Sequence, residues 1–126
     1  MFDHTPLPPT LRRLAAALFV LAAVFAFWAA LQPGLEPPGH GVDKLVHSAV
    51  FALLAGLGLA AAPDRRWLLV NLIGLAALGA FIEVAQYLVG RDASVLDLLG
   101  DLIGIALGAM AARHLIGLGR GFLFAR

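Results

Sequence analysis

The sequence predicts an all-α protein, an integral membrane bundle of four transmembrane helices. Of the 126 residues, 61% are hydrophobic and only 13% are charged, whereas about a quarter of the residues in a soluble domain are charged. Four separate apolar stretches are each close to the roughly 20 residues that a helix needs to cross a bilayer. The length suits one domain, so we treat residues 1–126 as a single unit.

The first helix is predicted at about residues 12–31. Its apolar run begins after two arginines and contains no charged residue. A secretory signal peptide has an apolar region of roughly 7–15 residues, followed by a small-residue cleavage site. This run is longer and no such site follows it, so we expect a retained helix. The prolines before it predict a flexible tail over residues 1–10.

The other three helices follow at about 44–62, 67–89 and 95–116. They are separated by a loop at 32–41 and by short turns at 63–66 and 90–93. The first loop contains three prolines and three glycines, a composition that ends helices. The glycine-rich end of the chain, 117–126, predicts an interfacial tail.

Positive charge predicts the orientation, because cytoplasmic loops carry an excess of lysine and arginine. With the N-terminus inside, Lys44 and Arg91 fall on the outer side. The cytoplasmic side then receives Arg12, Arg13, Arg65, Arg66, Arg113, Arg120 and Arg126. We therefore expect both termini to be cytoplasmic.

Composition also excludes several classes of function. The chain has no cysteine, which excludes disulfides, thiolate metal sites and thiol nucleophiles. A net charge of +1 gives no electrostatic support for binding nucleic acid. The sequence identifies no cofactor, and we assign no metal ligands from it.

Polar residues concentrate at one end of the predicted bundle, where helices 2 and 4 begin and helix 3 ends. They are Asp43, Lys44, His47, Glu83, Gln86, Arg91, Ser94, Asp97 and Asp101. A carboxylate inside a bilayer costs at least a few kcal/mol unless it is neutralised, paired or hydrated. So many ionisable groups favour a polar pocket that opens outward between helices 2, 3 and 4. The alternative is a buried network that only holds the helices together.

Some of these residues also suit helix capping. Ser94 and Asp97 have the spacing of a capping box, in which the serine hydroxyl accepts from the Asp97 amide and the aspartate reaches back. Asp43 has the same capping alternative at the start of helix 2. Asp64 and Asp92 lie in predicted turns, where we expect them to be solvated.

Two acids lie deeper than any cap. At about 1.5 Å per residue, Glu83 is roughly 8 Å and Asp101 roughly 9 Å into the membrane. His47 is somewhat shallower, so the three groups can share one layer. Glu83 is the strongest functional candidate, with Arg91 or His47 as its expected partner.

Small residues recur on helix 4 at Gly100, Gly104 and Gly108. Such a face permits close approach of two helices. It predicts tight packing against a neighbouring helix or against a second copy of the chain.

The polar motifs resemble those of the VanZ-like family, whose pattern is D-K-x-x-H, E-x-x-Q, R-x-x-S-x-x-D and a glycine-rich last helix. The matching residues lie between 43 and 112. They are Asp43-Lys44-Leu45-Val46-His47 with Phe51, Glu83-Val84-Ala85-Gln86, Arg91-Asp92-Ala93-Ser94 with Asp97, and Gly104 with Gly108. The family usually has asparagine where this chain has Asp101. An amide donates and accepts hydrogen bonds, whereas a carboxylate only accepts, so Asp101 is either protonated or meets an extra cation.

The resemblance implies a small multi-pass protein of the bacterial cytoplasmic (inner) membrane that acts in the cell envelope. The family is named after a teicoplanin-resistance factor, which implies a link to antibiotic resistance but supplies no reaction. The ligand-binding residues that it implies are Asp43, Lys44, His47, Glu83, Gln86, Arg91, Ser94 and Asp97.

Three functions fit these residues. In the first, Lys44 and Arg91 bind the phosphate of a phospholipid or polyprenyl phosphate, so that the partners are membrane lipid, a lipid-linked envelope precursor or a glycopeptide. The second is an enzyme acting on a lipid-linked phosphate through a metal or acid/base centre. Its candidate catalytic residues are Glu83, His47, Asp97 and Asp101. The third is a proton-linked transporter, although no polar residue continues a path through the middle of the bilayer.

Overall fold

A computed structural model describes residues 4–35 and 41–124. Within them the chain forms four helices and no strand: α1 (Pro9–Ala30), α2 (Val42–Ala61), α3 (Arg65–Leu88) and α4 (Val95–Phe124). All four are long and apolar enough to cross a membrane. The predicted all-α bundle of four membrane-length helices is confirmed. The sides on which the termini lie stay a prediction, and residues 36–40 of the predicted first loop lie outside the described residues.

α1 and α4 extend beyond their predicted bounds by three residues or more. α1 begins at Pro9, at the first helical turn, where a missing N–H costs nothing. α4 continues to Phe124, so the prediction of an interfacial tail from residue 117 is wrong over the described part. A glycine in a helix costs only about 1 kcal/mol relative to alanine, and α4 contains no proline to end it.

The N-terminal segment lies against the C-terminal ends of α2 and α4. Arg120 Nη2 donates to the carbonyls of Thr5 and Pro6, both at 2.6 Å. His4 Nε2 donates to the Ala62 carbonyl at 2.9 Å. Within residues 4–8, these contacts replace the predicted flexible tail with a segment that packs on the ends of α2 and α4.

α2 lies at the centre of the bundle. It packs most extensively against α4 and also contacts α1 and α3, while α1 touches α3 at few positions. The buried core consists of Phe51, Leu54, Ala55, Leu75, Ile82 and Ile105. Most other large apolar side chains are exposed. In a soluble protein this exposure would mark an interaction surface, but on membrane-length helices it is the composition expected of a surface in contact with lipid.

The glycines of α4 permit its close approach to α2. A methyl group at Gly104 would overlap the backbone carbonyl of Ser48, and one at Gly108 would overlap that of Ala52. At Gly100 the fit is looser, with 3.5 Å to the Lys44 carbonyl oxygen. The predicted small-residue face is thus in contact with a neighbouring helix of the same chain.

Both ends of α3 carry specific caps. Asp64 accepts a 2.9 Å hydrogen bond from the Trp67 amide, a helix N-cap, so the expectation that Asp64 is only solvated is wrong. At the other end Arg91 N donates to Gln86 O at 2.9 Å and Gly90 N to Tyr87 O at 3.2 Å. This is a Schellman motif, and Gly90 has the required positive φ of 76°. The turn brings Arg91 back over the bundle.

Candidate functional site: a cavity with a polar end

A cavity of about 760 Å³ opens at the end of the bundle where α1 and α3 end and α2 and α4 begin. Apolar side chains of α1 and α2 form its walls, among them Phe25, Ala29 and Val50. The predicted pocket between helices 2, 3 and 4 therefore has α1 as an additional wall. That contribution was missed because α1 has no polar residue in its membrane-length run.

Most of the predicted site residues form the polar end of this cavity. Its polar lining consists of Asp43, Lys44, His47, Gln86, Arg91, Asp92 and Asp97. Asp101 and Glu83 lie next to this lining, because each has a carboxylate oxygen within 4.8 Å of a ring nitrogen of His47. One end of the bundle thus brings together acids, bases and amides from α2, α3 and α4.

Lys44 links α2 to α4. Its Nζ lies 3.3 Å from Asp43 Oδ2 and 3.3 Å from Asp97 Oδ1. The Asp97 side chain is only 7% exposed, so this contact balances a nearly buried carboxylate. A Lys44 that binds an external phosphate would have to share its donors with these two aspartates.

The predicted capping box at the start of α4 is formed differently. Ser94 Oγ accepts from the Leu96 amide at 3.2 Å, not from the Asp97 amide. The Ser94 amide donates to Glu83 Oε2 at 2.7 Å, so a carboxylate of α3 takes the place predicted for Asp97. Glu83 was expected to pair with Arg91 or His47, and the hydrogen bond found is to this backbone amide.

Asp101 is completely buried and pairs with His47. Its Oδ1 lies 3.2 Å from His47 Nδ1, a hydrogen bond that requires a proton on one of these two atoms. Its Oδ2 has no hydrogen-bond partner among the described residues. A methyl group at Gly79 would lie only 2.9 Å from this oxygen, so the glycine of α3 makes room for the carboxylate.

Gln86 and Arg91 hold the end of α1. Gln86 Nε2 donates to the Ala30 carbonyl at 2.9 Å, and Arg91 Nη1 donates to the carbonyls of Ala30 at 2.6 Å and Gln32 at 2.9 Å. The last carbonyls of a helix lack partners within that helix and carry partial negative charge. These side chains therefore stabilise the wall of the cavity as well as lining it.

His47, Glu83 and Asp101 form the group that is best suited to a metal ion. Each has a donor atom within 4.8 Å of those of the other two, as expected for groups that share one layer. Sequence analysis assigned no metal ligands and named these three residues, with Asp97, only as candidates for a metal or acid/base centre, because depth estimates cannot show which side chains face each other across helices.

Comparison with known proteins adds no relative: no family model, no curated protein and no solved structure matches this chain. The resemblance to the VanZ-like family therefore depends on the motif residues alone. Chemically, the site is a cavity with apolar walls and paired charges at one end, and a histidine and two carboxylates lie beside that end.

Proposed function

We propose that the protein is a VanZ-like membrane protein of the bacterial cell envelope, whose cavity binds the headgroup and the adjoining apolar chain of a membrane lipid or lipid-linked phosphate. The observation that supports this most directly is the amphipathic cavity, with apolar walls from α1 and α2 and a charged end. A small polar metabolite would leave the walls uncovered. An amphiphile fits both parts.

The size and charge of the cavity narrow the choice of ligand. Its volume of about 760 Å³ is typical of ligand pockets, which span roughly 300–1,000 Å³. Asp43, Asp92 and Asp97 line its polar end together with Lys44 and Arg91. Because both signs of charge are present, a phosphate headgroup that carries its own positive group or a bound cation fits better than a bare anion.

The cavity is proposed to open to the outer leaflet of the cytoplasmic membrane. This follows from the arginine and lysine distribution of the sequence. The chain has no native thiol, so single cysteines report the orientation. In whole cells, an impermeant maleimide should label an Asp92→Cys variant, and an Arg66→Cys variant only after lysis. The reverse pattern would place the cavity at the cytoplasmic side.

Lipid binding is tested by filling the cavity. Ala29 lines it, whereas Ala17, on the same helix, is exposed and does not. Native mass spectrometry of the detergent-extracted protein should show a phospholipid or polyprenyl phosphate on the wild type and on Ala17→Trp, and its loss in Ala29→Trp. Equal lipid content in the two variants would reject the cavity as the binding site.

A second candidate function is a membrane-embedded enzyme that acts on a lipid-linked phosphate. The observation that favours it is the grouping of His47, Glu83 and Asp101 beside the cavity. In this case Glu83→Gln should abolish turnover and leave lipid retention unchanged. If the protein only binds lipid, in contrast, the Glu83→Gln variant should change which lipid is retained.

The resemblance also leads us to propose a link to glycopeptide resistance. Expression in a susceptible bacterium should raise the inhibitory concentration of teicoplanin. The Ala17→Trp variant should retain this effect, and Ala29→Trp should lose it. An equal effect of both variants would separate resistance from the cavity.

A further inference from the structure

Three different helices contribute potential metal ligands around one point. His47 belongs to α2, Glu83 to α3 and Asp101 to α4, and their donor atoms lie within 4.8 Å of one another. The group is therefore assembled by the tertiary fold and is not a run of neighbouring surface acids. Lys44, the basic residue nearest to His47 in the sequence, contacts Asp43 and Asp97.

Two carboxylate oxygens in this group lack a partner. Asp101 Oδ2 and Glu83 Oε1 are both buried and accept no hydrogen bond from the residues that the structure describes. Asp101 is 0% exposed. Leaving a buried acceptor without a donor costs about 1–3 kcal/mol, and more for a charged group. Oxygens of Asp43, Gln86 and Asp97 also lack a hydrogen bond at this end, and a cation bound among His47, Glu83 and Asp101 would give the two oxygens of this group a partner.

The free oxygen of Asp101 is directed at α3, the helix that carries Glu83. Asp101 Oδ2 points at Gly79 of α3, where a methyl group would lie at 2.9 Å. Gly79 and Glu83 are four residues apart, so they lie on the same face of α3, one turn from each other. The unpartnered oxygen of Asp101 is thus directed at the face of α3 that carries the second carboxylate.

The charge of the group suits a divalent ion. When both carboxylates are ionised and the imidazole is neutral, the group carries two negative charges, which a divalent cation neutralises completely. A proton on His47 would neutralise only one of the two. Within a bilayer an uncompensated carboxylate costs at least a few kcal/mol, so full neutralisation is strongly favoured.

We propose that His47, Glu83 and Asp101 bind one divalent transition-metal ion of the Zn²⁺ or Mn²⁺ type. An imidazole nitrogen with two carboxylate oxygens, and no sulfur, suits these ions better than Mg²⁺ or Ca²⁺, which prefer oxygen alone. Ligand distances of about 2.1 Å place donors at most about 4.2 Å apart. A pair of ligand atoms near the 4.8 Å limit must therefore approach by about half an ångström on binding. This inference goes beyond the proposed lipid function and does not depend on it.

The test uses the full chain in detergent, stripped with a chelator and titrated with Mn²⁺ alone. The wild type should bind one Mn²⁺ per chain, measured by elemental analysis and by the loss of the free-ion EPR signal, and Zn²⁺ should displace it. Asp101→Asn and Glu83→Gln should each weaken binding at least tenfold. Asp64→Asn changes an acid outside the group, at the start of α3, where asparagine caps a helix about as well as aspartate, and it should bind as the wild type does. Equal losses in Asp64→Asn and Asp101→Asn would overturn the assignment.

A second measurement covers the case in which a variant does not fold. Mn²⁺ bound to the wild type should show electron-spin coupling to a nitrogen nucleus, because His47 is a proposed ligand. Stoichiometric Mn²⁺ without nitrogen coupling, or no bound Mn²⁺ at all, would overturn the proposal. A wild type that retains lipid but binds no metal would reject this inference alone, and one that binds metal but no lipid would reject the proposed function alone.

Discussion

Replacing Gly108 by alanine tests the contact on which the geometry of the site depends. α4 carries Asp97 and Asp101, and α2 carries their partners Lys44 and His47. The distances between these partners are set by how closely α2 and α4 approach. Gly108 lies where the two backbones meet, against Ala52. A methyl group there changes the helix separation without changing any polar side chain.

The expected effect is calculated from the distance at this contact. The added Cβ would lie 2.6 Å from the carbonyl carbon of Ala52, whereas carbon atoms pack best at about 3.5–4.0 Å. α4 must therefore move away from α2 by about 1 Å. The atoms of Ala52 nearest to the added Cβ all belong to the helix backbone, so no flexible side chain can move aside instead. Overpacking of this kind costs typically about 1–3 kcal/mol, and we expect the Gly108→Ala variant to lose that much of its free energy of unfolding.

Gly117 provides a matched control on the same helix. A methyl group at Gly117 meets no atom within 4 Å, and alanine favours a helix by about 1 kcal/mol over glycine. Gly117→Ala should therefore be neutral or stabilising. The free energy of unfolding is measured in mixed micelles at increasing SDS by circular dichroism. If Gly108→Ala is as stable as Gly117→Ala, α2 and α4 are not in the described contact.

The remaining predictions concern helix ends. Gly90→Ala should destabilise by about 1–2 kcal/mol, because alanine is strained at the positive φ of 76°; Gly74→Ala, which has open space and no positive φ, should not destabilise in the same unfolding assay. Asp64→Ala should cost about 1 kcal/mol through loss of the N-cap, seen as faster amide hydrogen exchange in the first turn of α3. Gln86→Leu removes one of two donors to the Ala30 carbonyl and should cost about 0.5–1.5 kcal/mol, with no loss of helix content.

The four helices were predictable because the bilayer imposes a length and an apolar composition on each one. Their limits were less predictable. The glycines after Ile116 suggested a tail, but no proline stops α4, and Arg120 ties its last turns to Thr5 and Pro6. Other ends had signals that sequence analysis did not use. Asp64 precedes a helix at a typical N-cap position, and Gly90 follows one at the C′ position.

Sequence analysis predicted which residues lie near one another at the site, but not which of them contact each other. Alternating helix direction, together with the depth of each group, brought His47, Glu83 and Asp101 to one layer. The choice of partners depends on helix rotation and separation, which a single sequence does not show. For this reason the contact between Glu83 and the Ser94 amide, and that between Arg91 and the end of α1, appeared only in the structure.

Lipid binding and metal binding, the two proposals, both depend on the charges at the polar end of the cavity. Both cations predicted to hold a phosphate are already engaged. Lys44 lies between Asp43 and Asp97, and Arg91 donates to the carbonyls of Ala30 and Gln32 at and after the end of α1. A phosphate that enters the cavity therefore has to compete with those acceptors or find another positive partner. A divalent ion held by three protein ligands keeps further coordination positions open, and His47 lines the cavity. If the retained lipid carries a phosphate, removing the metal with a chelator should therefore weaken its retention in the wild type and leave the Asp101→Asn variant unchanged.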